Sequence, residues 1–307
     1  LSIMRFPDLP MSIDHLIQSL AGYNRRFPNH PNLQYVARQL VRLISSLGGH
    51  TYRNEFEGVQ KFCLFVGHAR SGHSLIGSLL DAHPHIIIAH ELHAMDYIKR
   101  GLVTTKQQLF YTLLCRSRWF EQRGAEWTGY KYSVPSQYKG EFTSLKVIGD
   151  KRGGGSTRAL YNNPSLIEKI KDTVGVPIDV FHVTRHPLDN ISTLARKDFN
   201  GNIEAATERY FENCRVIEDV KADLSSREEI SWIEVGHEEI ISESKSCLYR
   251  MCNFLDVSCS EDYVNDCANI IFDSPNRSRR KISYEPIHLD VIRSNTEEFS
   301  FLKKYAF

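Results

Sequence analysis

The chain has no run of 18 apolar residues, so it offers no candidate membrane-spanning helix. Its opening, LSIMRFPDLP, has no apolar signal-peptide region. The expected location is therefore cytoplasmic, with a lumenal domain parted from an upstream anchor as the alternative. An excess of charge of one sign is also missing. With 38 Lys and Arg against 37 Asp and Glu, the formal net charge is +1, which excludes a strongly basic nucleic-acid binder and still leaves room for a local basic pocket. The 7 cysteines include no C-x-x-C pair. Four of them fall late, at Cys247, Cys252, Cys259 and Cys267. The helical periodicity of CLYRMCNFL favours core thiols over a zinc or disulfide cluster, hence a reducing compartment and no metal. Internal repeats and low-complexity segments are absent.

What is present is ordinary for a globular protein: 41% apolar and 24% charged residues in 307, enough for one large domain or two small ones. Residues 1–60 read as a helical extension, with helices at about 11–21 and 31–47 joined by the proline-rich RRFPNHPN. From residue 61 to 307 the pattern is one domain. KFCLFVG (61–67), HIIIAHE (85–91), SLKVIGDK (144–151) and IDVFHVTR (178–185) are short apolar runs of the kind buried in a parallel sheet. ISWIEVGHEEI adds a strand that runs into a helix. Helices are expected at 72–82, 104–122, 164–173, 203–224 and 243–255, with another opened by Pro187 and a loose basic tail at the end. Alternating strands and helices predict an α/β, three-layer fold with a mostly parallel central sheet flanked by helices.

Two sites follow strands of that sheet. Gly67-His-Ala-Arg-Ser-Gly72-His73-Ser74 fits the phosphate-loop template G-x-x-x-x-G-K-[ST] except at one position, where His73 replaces the lysine. A tight turn into a helix aims backbone N–H groups at one point, where the helix dipole favours an anion. Arg70 adds a charged fork, Gly72 close approach and Ser74 a hydroxyl. The second site is HVTRHPLDNISTLARK. Arg185 lies at the carboxyl end of its strand, where open α/β sheets bind ligands, and Thr193 or Ser192 would join it on a second phosphate. The sequon Asn190-Ile-Ser192 falls inside this turn, where a glycan would block binding.

Together RSGHSLIGSLLDAHPHIIIAHE and, about a hundred residues on, TRHPLDNISTL resemble the sulfotransferases that use 3′-phosphoadenosine 5′-phosphosulfate (PAPS), nearest in motif to the tyrosylprotein and Golgi-type carbohydrate branch. The specific matches cover residues 62–93 and 178–199. The resemblance implies a P-loop-like fold in which Arg70, Ser71, Gly72, His73 and Ser74 hold the 5′-phosphosulfate, and Arg185 and Thr193, with Ser192 beside it, the 3′-phosphate. His73 stands where the family has Thr, and Thr193 where it has Ser; the role of His73 stays open. Sulfuryl transfer to an alcohol needs a base for the acceptor proton. Counting from His83-Pro84 places Glu91 on the family's glutamate, with His90 and His93 as alternatives. Lys151, with Arg152 as runner-up, falls near the cation that stabilises the bridging oxygen, alongside Arg70. The basic tail, Arg279 and Arg280 within it, is either a solvated loop or a cover over the nucleotide, whose product form is PAP.

The acceptor is left open among a small-molecule alcohol or phenol, a carbohydrate and a peptidyl tyrosine. The near-neutral chain gives no sign of an anionic polysaccharide. Trp119, Trp127, Tyr130, Tyr132 and Tyr138 line an acceptor pocket or belong to the core. His237, Glu238 and Glu239 read as the start of a helix rather than a metal site. Oligomeric state is not legible. Two rivals remain: a P-loop nucleotide kinase or NTPase, which needs a magnesium-holding Asp at a strand end, and an inactive nucleotide-binding protein of the same fold.

Overall fold

A computed structural model describes Ser19 and residues 31–305. The expected helix at 11–21 lies outside the described residues, apart from Ser19. The central sheet holds five parallel strands: β1 (Lys61–Gly67), β2 (Ile86–His90), β5 (Val147–Lys151), β6 (Ile178–Thr184) and β7 (Ile230–Gly236), in the order β2-β5-β1-β6-β7. A separate two-stranded hairpin, β3 (Glu126–Trp127) and β4 (Tyr130–Lys131), turns through Thr128 and Gly129, both with positive φ.

Side chains alternate across the pleat and feed two cores. Phe62, Leu64 and Val66 of β1 and Ile178 and Val180 of β6 pack with helices Lys106–Gln122, Leu166–Val174 and Ile203–Ser225. Cys63 and Phe65 of β1 and Phe181 and Val183 of β6 pack with helices His73–Asp81, Ser244–Phe254 and Glu261–Asn269. With both faces covered, the strands read as continuous apolar runs, as the sequence shows. Helix Pro31–Thr51 packs on helix Lys106–Gln122 and buries Ala37, Val41 and Ser45.

Three expectations need correction. The residues after β5, to which the sequence pattern assigns no element, form helix Gly153–Asn162. Three successive glycines are poor helix formers, but a Cβ on Gly153 would stand 1.8 Å from Nε2 of His73, so only glycine lets this helix end pack flush on the β1 loop. The tail is not loose. After helix Glu261–Asn269 come a 3-10 turn, Ser278–Lys281, and helix Pro286–Glu298, and a third apolar cluster joins Ile292, Phe299 and Phe301 to helix Pro187–Asp198. Finally, Cys252 and Cys259 form a disulfide. Helix Ser244–Phe254 ends before Asp256, which takes φ 54°, and the returning chain carries Cys259 back to the helix end. The pairing removes the cysteine argument for a reducing compartment, while Cys247 and Cys267 are buried thiols. His83 lies with the two sulfurs, but they are bonded to each other and its Nε2 meets the Ser258 carbonyl at 3.0 Å. Among the described residues no helix is long and apolar enough to cross a membrane.

Candidate active site

A cavity of about 820 Å³ opens at the carboxyl edge of the sheet, where the β1 loop, the ends of β2, β5 and β6, and the β3–β4 hairpin meet. The loop is built as its glycines require. Gly72 takes φ 103°, and a Cβ there would sit 2.5 Å from Nδ1 of His237. Arg70, Glu91 and His93 also adopt left-handed backbone, with φ of 67°, 56° and 70°. Such conformations cost non-glycine residues about 1–3 kcal/mol each and persist only where packing enforces them. For Glu91 the enforcement is a hydrogen bond from its N–H to the Lys151 carbonyl, 3.1 Å.

Lys151 is the centre of the site. Its side chain is 1% exposed, and Nζ donates to Ser74 Oγ at 3.0 Å and Glu91 Oε1 at 3.1 Å and meets His90 Nε2 at 3.0 Å. Three acceptors thus match the three N–H bonds of an ammonium. Burial lowers the Lys151 pKa from its usual value, and Glu91 opposes that shift. His90 must then accept at Nε2. Its own burial, with Lys151 and Arg116 nearby, drives its pKa down to about 2, so the ring is neutral. With Nε2 engaged and the ring stacked on Phe120 at 3.8 Å, His90 is not free to take an acceptor proton. His93 lines a separate cavity of about 180 Å³. Of the three base candidates only Glu91, with its side chain 30% exposed, lines the main cavity.

The loop residues divide. Arg70, Gly72, His73 and Ser74 line the cavity. Ser71 does not: it is buried, and its hydroxyl donates to the His68 carbonyl at 3.0 Å and lies 3.1 Å from His73 Nε2. The His73 pKa is driven down to about 3, chiefly by burial and then by Lys151, so His73 supplies no charge in place of a phosphate-loop lysine. Lys151 comes instead from β5 and reaches Ser74, the hydroxyl that follows His73.

Arg185 sits where expected, donating to the Arg70 carbonyl at 3.1 Å and, through Nη2, to the Asn276 carbonyl at 2.7 Å and Ser278 Oγ at 3.2 Å. Thr193 lines the cavity beside it and back-bonds to Asp189 O at 2.8 Å, which keeps its oxygen's lone pairs available. Ser192 is buried, with its hydroxyl spent on the Ser278 carbonyl at 2.6 Å. Asn190 is buried too, out of reach of glycosylation in the folded chain. Arg279 pairs through Nη2 with Asp189 Oδ2 at 3.1 Å and contacts His186, so it fastens the 3-10 turn rather than facing the cavity. Arg280 is exposed and outside the cavity lining; Lys281 is the basic residue of that turn that lines it. Among the aromatic residues, Trp127, Tyr130 and Tyr132 line the cavity, whereas Trp119 stacks with Arg116 at 4.2 Å. His237 does begin a helix, His237–Ser242, and also lines the cavity.

Sequence reasoning missed Arg158, Arg196, Lys197 and Arg209, all in the cavity wall. For Arg196 and Lys197 a signal existed: they stand three and four residues after Thr193, on the same helix face. For Arg158 none did, because its helix was not expected.

No protein-family model matches the chain, and no curated protein matches it. The solved structures that it resembles include sulfotransferases. The sulfotransferase domain of the curacin biosynthetic pathway is 13% identical, with a TM-score of 0.46, 79% of this chain covered and 98% of that one. The corresponding domain of the Synechococcus PCC 7002 olefin synthase is 15% identical, with a TM-score of 0.43 and coverage of 77% and 88%. A mouse sulfotransferase solved with PAP is 13% identical, with a TM-score of 0.42 and coverage of 82% and 93%.

Proposed function

We propose that the chain is a PAPS-dependent sulfotransferase acting on a hydroxyl acceptor. The observation that carries this reading is the Ser74–Lys151–Glu91 chain, which joins a lysine-less phosphate loop to a carboxylate at the cavity wall. The β1 loop with Arg70 takes the 5′-phosphosulfate, while Arg185 and Thr193 take the 3′-phosphate. Nδ1 of His237 and Nε of Arg185 are buried without a hydrogen-bond partner among the described residues, and both residues line the cavity, as a site shaped for a polar ligand requires.

Glu91 accepts the proton of the acceptor hydroxyl as its oxygen attacks sulfur. The new O–S bond forms as the bond from sulfur to the 5′-phosphate oxygen breaks, and the electron pair leaves on PAP. Arg70 meets the charge that grows on the departing oxygen, and the buried Lys151 ammonium adds its field from behind Ser74. Fixed cations in a dry site contribute most where charge develops in the transition state. The kinase reading loses support at the strand ends. Asp150 of β5 is buried and accepts from the N–H groups of Leu92 and Ala94 at 2.9 and 2.8 Å, and Asp179 pairs with Lys61 at the far end of the sheet. Neither carboxylate is placed to hold magnesium beside Ser74.

Thermal shift with PAP, ATP and GTP tests the proposal, since a ligand that binds the folded state raises stability by mass action. PAP alone raises the melting temperature, and sulfuryl transfer proceeds undiminished with a chelator present. A shift with ATP and magnesium but none with PAP would overturn the reading.

A further inference from the structure

The cavity is far more basic than the chain. Among the described residues nine of its lining side chains are Lys or Arg and one, Glu91, is acidic, in a protein whose net charge is +1. A donor carrying roughly four negative charges accounts for only part of this. Arg70 on the β1 loop, Arg185 at the end of β6 and Lys281 on the turn tied to Arg185 through Ser278 serve its two anionic ends.

Lys131 comes from the β3–β4 hairpin, and five others form a second group: Arg152 and Arg158 after β5, Arg196 and Lys197 in the last turn of helix Pro187–Asp198, and, on helix Ile203–Ser225, Arg209, which is paired with Glu212 at 3.2 Å. Their helices pack on one another, and the group is tied to the β1 loop where Asn213 Nδ2 meets His68 Nδ1 at 3.1 Å. Arg152 directly follows Lys151, which places this wall next to the Glu91 carboxylate. Like charges gathered in one concave wall repel one another, and a wall of one sign concentrates ligands of the other.

We propose that the acceptor is itself anionic: a sugar alcohol group on a molecule bearing carboxylate or sulfate ester groups, with its hydroxyl at Glu91 and its charges on the Arg158–Lys197 wall. This deepens the sulfotransferase reading and rests on it. The wall offers arginines and the backbone of Gly153–Gly155, and Trp127, edge-on to His90 at 5.0 Å, lines the same cavity. Tyr130, Tyr132, Ile270 and Phe272 also line the cavity and suit a ring, so the choice of a charged acceptor rests on the basic side chains of this wall.

The test compares 4-nitrophenyl β-D-glucuronide with its neutral twin, 4-nitrophenyl β-D-glucoside, at saturating PAPS. The expected result is a kcat/KM about tenfold higher for the glucuronide, with a KM that rises with sodium chloride for that substrate alone. Arg158→Glu and Lys197→Glu abolish the preference while PAP still raises the melting temperature, which also reports that each variant folds. Equal use of the two glycosides, or a salt-independent KM, overturns the proposal. Preference for an acidic tyrosine peptide over the glucuronide overturns it in favour of a peptide acceptor. If PAP leaves the wild-type melting temperature unmoved, the donor reading fails and this one falls with it; a retained PAP shift without an anionic preference sinks this one alone.

Discussion

Nζ of Lys151 lies 3.1 Å from Oε1 of Glu91, the one carboxylate among the described residues that lines the cavity. The pair couples β5 to the segment after β2, and Glu91 holds it from a left-handed backbone position locked by the Lys151 carbonyl. Glu91→Gln keeps an oxygen for Lys151 but cannot take a proton. Sulfuryl transfer should fall by about 10²–10⁴-fold with PAP binding retained. Turnover at the wild-type rate would remove Glu91 as the base.

Lys151→Met tests the partner. The substitution removes a buried ammonium while roughly filling its volume, so folding should survive. kcat should fall by about 10²–10³-fold, the usual cost of losing a preorganised charge at a developing oxyanion. A loss confined to KM would mean that Lys151 only binds the donor.

Acid should unfold the protein early. Burial lowers the pKa values of His73, His83 and His90 to about 3, 4 and 2. Below the ordinary histidine value the unfolded chain binds protons at these rings that the fold cannot, so stability present at neutral pH is lost as pH falls from about 6.5 toward 4. Asp81 acts in the opposite sense: burial raises its pKa to about 7, so its contribution is complete at low pH and lost as pH rises through that value. Three protons against one leave at most about 2.7 kcal/mol of stability lost per pH unit from these groups. Urea unfolding midpoints measured from pH 7 to pH 5 check this; a flat profile would contradict it.

Gly153 and His73 should behave as a coupled pair. Gly153→Ala places a methyl group on the His73 ring and should destabilise by about 1–3 kcal/mol. His73→Thr opens that space, so the double variant should recover most of the loss. A double-mutant cycle read by chemical denaturation gives the coupling, and simple additivity would show that the two positions do not meet.

The two basic residues of the 3-10 turn should separate by readout. Arg279→Ala leaves the buried Asp189 carboxylate without its guanidinium and should lower stability by about 1–3 kcal/mol. Lys281→Ala should weaken PAP binding and leave the denaturation midpoint unchanged. The reverse pattern would return Arg279 to the binding site.

The sequence alone determined the order of the five sheet strands along the chain and the phosphate-loop frame, and it put forward Glu91, Arg185 and Thr193 as candidates, which the fold brings to one cavity. The strands, the loop and the Arg185 turn depend on local pattern, an apolar run ending in glycine and a proline at a helix start, while Glu91 depends on the family resemblance, counted from a histidine–proline pair. Tertiary structure decided what lies across the site. It turned Ser71 and Ser192 inward, because one hydroxyl met the His68 carbonyl and the other the Ser278 carbonyl. It made Arg279 a fastening, because Asp189 lay opposite. It raised a helix on three glycines, since their lack of side chains let it close on His73. It brought Cys259 back to Cys252 through a turn that the helical pattern did not forecast. Most of all, it gathered basic side chains from separate elements into one wall. Net charge is a sum over the chain and carries no positions; only folding places nine cations around one carboxylate.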